Sequence, residues 1–380
     1  MIHYKAIGKI IGILLILLAI LMLPGMIFSF YYKSGDLNAI LSASLITMLS
    51  GAVLFYIFQH NNDNIRKREG YLIVSLSWLF MALFGMLPYL IGGVFTHPAD
   101  AIFETISGLT TTGASVLNDI ESVPKGILFW RSMTQWIGGL GIIVLTVAIF
   151  PLLGIGGIEL FVAEAPGPTS DKVHPRIRET AKRLWFIYLG LTGLSFLLYL
   201  IGGMTFYDAI NHALTTVSTG GFSTKNASMA YFDTAFIQYS AIVFMFVSGT
   251  NFTLIYFATI GKFNRIWSSD EFRAYSIAVT VLVLLLVYPV YYLSSNPDFE
   301  LAFRNTCFQV ISLITTTGFI TDDYTLYHGG LSLVFFMLLF LGGSAGSTSG
   351  GIKFVRHLTF FKNSWLEFKR LVHPRAVVPL

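Results

Sequence analysis

Three short stretches limit what this chain can become: LTTTGAS at residues 109–115, VSTGGFS at 217–223 and LITTTGF at 313–319. Each sets hydroxyls and a glycine at the end of an apolar segment. A lone threonine run is ordinary, because Thr can donate back to its own helix carbonyls and hide its hydroxyl. Recurrence in register is not. Counting back from Gly113, Gly221 and Gly318, the sixth position is Ser107, Thr215 and Ser312, and the third is Thr110, Ser218 and Thr315. The second is Thr111, Thr219 and Thr316. Gly220 competes with Gly221 as the middle anchor, which leaves that copy open by one residue.

The surroundings of these stretches are those of a bilayer. Of 380 residues 54% are hydrophobic and 12% charged, against roughly 25% charged in soluble domains. Runs at 10–30, 40–58, 71–91, 127–153, 184–201, 236–260, 275–293 and 331–361 approach or exceed the ~20 residues that cross a bilayer core. The first is longer than the ~7–15-residue core of a signal peptide, so it reads as a mature helix. Segments 101–112, 209–219 and 302–317 are too short to cross, and each ends in one of the threonine stretches. The single cysteine, Cys307, excludes an internal disulfide.

Basic residues set the sidedness. Arg66, Lys67 and Arg68 follow the second run; Lys172, Arg176, Arg178, Lys182 and Arg183 follow the fourth. Lys262, Arg265 and Arg273 follow the sixth, and Lys362, Lys369, Arg370 and Arg375 the eighth. All four clusters fall after even-numbered spans, which the positive-inside rule makes cytoplasmic. The amino terminus is then cytoplasmic and the short segments enter from outside. The net charge of +4 belongs to this asymmetry and not to a nucleic-acid surface. The expected organisation is an all-α polytopic membrane protein. Residues 1–68 form two N-terminal helices; 69–163, 183–265 and 266–361 form three helix–pore loop–helix repeats, the last with a glycine-rich loop; 164–182 form a cytoplasmic linker; and 362–380 form a further cytoplasmic segment. Copies of one sidedness are related by an axis along the membrane normal and surround a central path.

The chemistry suits a dehydrated cation. A short helix descending from outside directs its C-terminal partial charge, about half a unit negative, into the membrane. Backbone carbonyls of the threonine and glycine residues beyond it can replace an ion's hydration shell. Thr111, Thr112, Gly113, Ser218, Thr219, Gly220, Gly221, Thr316, Thr317 and Gly318 are the expected filter positions. No carboxylate lies within these stretches; the nearest acids are Glu104 and Asp119. Carbonyl selection favours a monovalent, weakly hydrated cation without separating K⁺ from Na⁺. In the last run, Gly342, Gly343, Ser344, Ala345, Gly346, Ser347, Thr348, Ser349, Gly350 and Gly351 lack any large side chain. Five glycines in a continuous helix would cost on the order of 5 kcal/mol. A broken, polar gating loop below the filter is therefore expected, the rival being small-residue helix packing. No HExxH helix, GxSxG elbow or close aspartate pair indicates an enzyme.

FWRSMTQWIGGLGII at 129–143, STGGFST at 218–224, TTTGF at 315–319, GGSAGSTSGGIK at 342–353 and KRLVHPRAV at 369–377 resemble the TrkH and KtrB superfamily of potassium uptake proteins. The likeness is to the TrkH branch and covers essentially the whole chain. It implies K⁺ as the transported ion, no cofactor in the chain, a homodimer, a cytosolic nucleotide-binding regulator such as TrkA, and the inner membrane. It also implies four filters around one pathway, whereas three are present here. On that comparison the sequence reads as lacking the fourth repeat, with a nonfunctional remnant as one alternative and a Na⁺- or H⁺-coupled transporter of another solute as a second. His212, within the second pore segment, could be a proton site for such coupling, a structural histidine with carbonyl partners being the preferred reading.

Overall fold

The computed structural model describes residues 4–59, 67–139, 141, 177–293, 298–327 and 330–372. Among them every regular element is helical. Helices α1 (Tyr4–Met22), α2 (Pro24–Tyr32) and α3 (Leu37–Phe58) form the N-terminal pair of spans, α1 and α2 being one span divided at Pro24. Then come α4 (Lys67–Gly85) with its continuation α5 (Leu87–Ile91), the short α6 (Pro98–Leu109) and α7 (Lys125–Gly139). The pattern recurs as α8 (Ile177–Ile201), the short α9 (Phe206–Val217), α10 (Ala235–Ser248) and α11 (Phe252–Thr259). After α12 (Phe263–Trp267) it recurs again as α13 (Asp270–Leu293), the short α14 (Phe299–Ile314) and α15 (Leu331–Leu338), and the described chain closes with α16 (Phe354–Val372).

Five of these spans are long and apolar enough to cross a membrane as single rods: Tyr4–Tyr32, Leu37–Phe58, Glu69–Ile91, Lys182–Ile201 and Asp270–Tyr292. The run at 236–260 differs from the expected straight span. Its two helices, α10 and α11, meet at 107°. The chain turns because Gly249 ends α10 and the Asn251 side chain caps α11, accepting from Thr253 N at 2.8 Å. The run at 331–361 is not one helix either. Eight-residue α15, about 12 Å long at 1.5 Å per residue, gives way to the glycine-rich segment, and helix resumes only at Phe354. The latter part of the run at 127–153, residues 164–176 of the linker and the segment beyond 372 lie outside the described residues, while 177–182, expected as linker, already belong to α8.

Polar contacts fix the N-terminal helices to the first unit. Asp36 is buried and accepts from Ser29 Oγ and Ser34 Oγ, each at 2.5 Å, and from Ile127 N at 2.7 Å. It thus satisfies a backbone donor in the first turn of α7, one of the four that a helix start leaves open. Trp130 donates from Nε1 to Gly85 O at 2.9 Å, joining α7 to α4. Among the described residues the apolar core has two main parts and a small third around Tyr188, Val217 and Phe252. One main part gathers α1, α4 and α7 around Leu15, Leu18, Met81 and Trp130, and the other gathers α10, α13 and α14 around Met245, Tyr275 and Phe308.

Candidate functional site

The three threonine stretches share one local geometry. Thr112 N donates to Ser107 O, Gly220 N to Thr215 O and Thr317 N to Ser312 O, each at 2.9 Å. One residue earlier, Thr111 N donates to Gly108 O, Thr219 N to Thr216 O and Thr316 N to Leu313 O. This pair of bonds is the Schellman ending, which requires a left-handed residue just past the helix. Thr111, Thr219 and Thr316 occupy it with φ of 53°, 53° and 55°. Two residues on, Gly113, Gly221 and Gly318 turn left-handed again at 79°, 76° and 80°. The alternation settles the open register: Gly221, not Gly220, is equivalent to the other two glycines.

The segments also meet. A Cβ on Gly113 would lie 2.3 Å from the Gly220 carbonyl oxygen, and one on Gly221 would lie 1.9 Å from that of Thr317. Glycine is required at both because a neighbouring backbone fills the space. Most of the hydroxyls face away from this seam. Thr110 donates to Ile106 O and Thr315 to Ile311 O, each at 2.7 Å, which is plain back-bonding. Ser107 and Ser312 instead reach across the turn to Ala114 O at 2.5 Å and Phe319 O at 2.7 Å, clamping the residue after the glycine.

A further register became visible only in three dimensions. Nine residues before each glycine stand Glu104, His212 and Gln309, all buried. Glu104 accepts from Ser115 Oγ at 2.9 Å and Val116 N at 3.0 Å; His212 Nε2 pairs with Ser223 Oγ at 2.9 Å; Gln309 donates to Asp322 O at 2.8 Å. Each holds the strand that leaves the filter against its own pore helix. The second ring nitrogen of His212 pairs with Asp208 O at 2.8 Å, so the imidazole has both nitrogens engaged as a structural residue. Glu104 also pairs with Arg131 Nε at 2.6 Å, with 0% and 2% of their side chains exposed. Removing one partner of such a pair costs about 3–5 kcal/mol.

The glycine-rich stretch lies on the opposite side of the filter turns. Gly350 N donates to Thr316 Oγ1 at 2.6 Å, and Thr348 Oγ1 donates to Val217 O at 3.1 Å and Ser248 O at 3.2 Å. Ser344 N bonds Gly249 O at 2.9 Å and Phe252 N bonds Gly346 O at 3.0 Å, so the stretch plugs the break between α10 and α11. Glu271 at the start of α13 accepts from Ala345 N at 2.7 Å, and Lys353 Nζ donates to Ser349 O. Beyond the filters, on the other side, Asn226 donates to Asp119 Oδ1 at 2.9 Å and accepts from Ile120 N at 2.7 Å. The Asn226 bond holds the Asp119 carboxyl below its ordinary range, so this exposed acid stays charged. Ala230 N bonds Ile320 O at 2.9 Å, tying the second outer loop to the third.

Comparison with known proteins follows this geometry. Residues 36–380 match the TrkH family, described as cation transport protein. The chain is 38% identical over 377 residues to the Trk system potassium uptake protein TrkH of Halomonas elongata, covering 98% of this chain and 78% of that one. It is 39% identical over 383 residues to the protein of the same name from Escherichia coli K12, covering 99% and 78%. The crystal structure of the potassium transporter TrkH from Vibrio parahaemolyticus superposes with a TM-score of 0.88 at 38% identity, over 100% of this chain and 79% of that one. This multi-pass membrane protein belongs to the TrkH family of cation transport proteins.

Proposed function

We propose that the chain takes up K⁺ across the cytoplasmic membrane as the membrane subunit of a Trk-type system, its filter built from backbone carbonyls. The observation that carries this reading is the threefold alternation of left-handed Thr and left-handed Gly at the ends of three short helices that abut one another. Such a backbone turns successive carbonyls toward a common side and needs no charged ligand, which suits a monovalent ion shedding water. Thr111 to Gly113, Ser218 to Gly221 and Thr316 to Gly318 make up this filter, and K⁺ is the transported substrate. The segment from Gly342 to Gly351 is the gate. Relatives named as parts of a Trk system support a multi-component system; to the same reading belong a cytosolic nucleotide-binding regulator such as TrkA as partner, a homodimeric membrane subunit and inner-membrane placement with the amino terminus inside. The test is expression of the full-length gene product in a bacterium lacking its own K⁺ uptake. Growth on low K⁺ and ⁸⁶Rb⁺ uptake that K⁺ outcompetes better than Na⁺ are expected; uptake indifferent to the two ions would overturn the reading.

A further inference from the structure

The second filter is held differently from the other two. In the first and third, Ser107 and Ser312 of the pore helix itself grip the carbonyl after the glycine. In the second, the equivalent Thr215 turns back to Asn211 O at 3.1 Å and leaves that grip unmade. A residue of the preceding unit holds this turn instead, through other atoms. Gln135 of α7, fully buried, donates from Nε2 to Gly220 O at 2.6 Å and accepts from Phe222 N at 3.0 Å, straddling the left-handed Gly221 with both ends of one amide. The approach also accounts for the glycine doublet. A Cβ on Gly220 would lie 2.3–2.7 Å from the Gln135 amide atoms, where the other filters carry Thr112 and Thr317.

Arg131 lies one turn earlier on the same face of α7, four residues being neighbours along a helix. It donates from its guanidinium to Ser223 O at 3.1 Å and lies 3.5 Å from the centre of the Phe222 ring, while its Nε holds Glu104 of the first pore helix. The next seam lacks this brace. Gly139 of α7 abuts Ser218 as Gly249, at the end of α10, abuts Thr315. Counting back from Gly249, the places of Gln135 and Arg131 fall to Met245 and Ala241, both buried and neither able to make such bonds. Resting on the filter reading above, we propose that Gln135, supported by Arg131, is a positioning residue that sets ion discrimination at the second filter by fixing the peptides on either side of Gly221.

Two measurements on the full-length gene product test this: the ratio of K⁺ to Na⁺ competition in ⁸⁶Rb⁺ uptake, and amide hydrogen exchange of the peptide spanning Phe222. For Gln135→Leu the ratio should fall at least tenfold, and exchange at that peptide should quicken while the peptide spanning Phe319 is unchanged. Met245→Leu should alter neither. If Gln135→Leu does not accumulate, Gln135→Glu decides by the uptake ratio alone, exchange at Phe222 being a criterion for Gln135→Leu only, because Glu keeps the acceptor for Phe222 N and loses the donor to Gly220 O. A ratio within twofold of the unmutated protein, or unchanged exchange at Phe222, would overturn the proposal. Quickened exchange in a protein whose unmutated form shows no K⁺ preference would instead sink the filter reading and leave the brace standing.

Discussion

Thr111, Thr219 and Thr316 sit at φ between 53° and 55°, a region that costs an L-residue roughly 1–2 kcal/mol and suits a β-branched one least. The strain is met by the Schellman bonds and by the packing of one filter segment on the next. Replacement of the glycines separates strain from contact. Gly221→Ala would add both, with Cβ at 1.9 Å from the Thr317 oxygen, and a backbone atom there has nowhere to move. We expect it to lower ⁸⁶Rb⁺ uptake at least tenfold and to erase K⁺ preference in what remains. Gly261→Ala shares the positive φ, at 72°, but meets nothing within 4 Å. It should cost only about 1–2 kcal/mol of stability, read as a lower melting temperature, with uptake within twofold of the unmutated protein. Equal effects of the two would show that the seam between filters carries no weight. The recurrence of these residues was legible in the sequence because all three copies repeat the same local turn. The job of each hydroxyl was not: Thr110 and Thr315 proved to back-bond, and Ser107 and Ser312 to clamp. Gln135 and Arg131 stayed hidden because their filter contacts span 85–92 residues of chain. An arginine inside an apolar run was the available signal, since buried charge in a membrane segment demands a partner.

Between elements, the glycine-rich segment is fastened at two levels. Its inner fastening is Glu271 on Ala345 N and its outer one is Thr348 on Val217 O and Ser248 O. The break in this run was readable from the accumulated cost of its glycines, whereas the 107° bend between α10 and α11 was not. The bend depends on bonds from afar, Ser344 N to Gly249 O and Phe252 N to Gly346 O, which no local pattern announces. If the plug closes the pathway, each lost bond should shift the balance toward the open form. A net hydrogen bond is worth about 0.5–1.5 kcal/mol, so Thr348→Val and Glu271→Leu, which removes the acceptor for Ala345 N, should each raise uptake by about two- to tenfold. The K⁺ to Na⁺ ratio should hold, because an obstruction below a filter does not choose among ions. Uptake that stays the same in both variants would reduce the segment to helix packing. A changed ratio with unchanged uptake would make it part of the filter instead.

Across the whole molecule the two polar ends differ, and the difference bears on which way ions would meet the pore helices. At one end the filter loops are joined by Asn226 to Asp119, by Lys225 to Glu121 at 3.7 Å and by Ala230 to Ile320. At the other, Asp270 pairs with Arg273 at 2.5 Å and with Lys362 at 2.9 Å, beside the basic residues that follow the even-numbered runs. In the proposed orientation, argued from positive-inside charge, the second end is the cytoplasmic one. The α6, α9 and α14 helices then run inward, and their partial negative ends face an ion arriving from outside. Cysteine labelling reads this directly, because Cys307 is the chain's one cysteine and Cys307→Ser gives a silent background. Exposed Glu121, Lys262 and Lys369 are suitable reporters. In intact cells a membrane-impermeant maleimide should label Glu121→Cys and spare Lys262→Cys and Lys369→Cys, which should react only after permeabilisation. The reverse pattern would turn the molecule over. The pore helices would then enter from the cytoplasm, and the same partial charges would draw cations from the inner solution toward the filter.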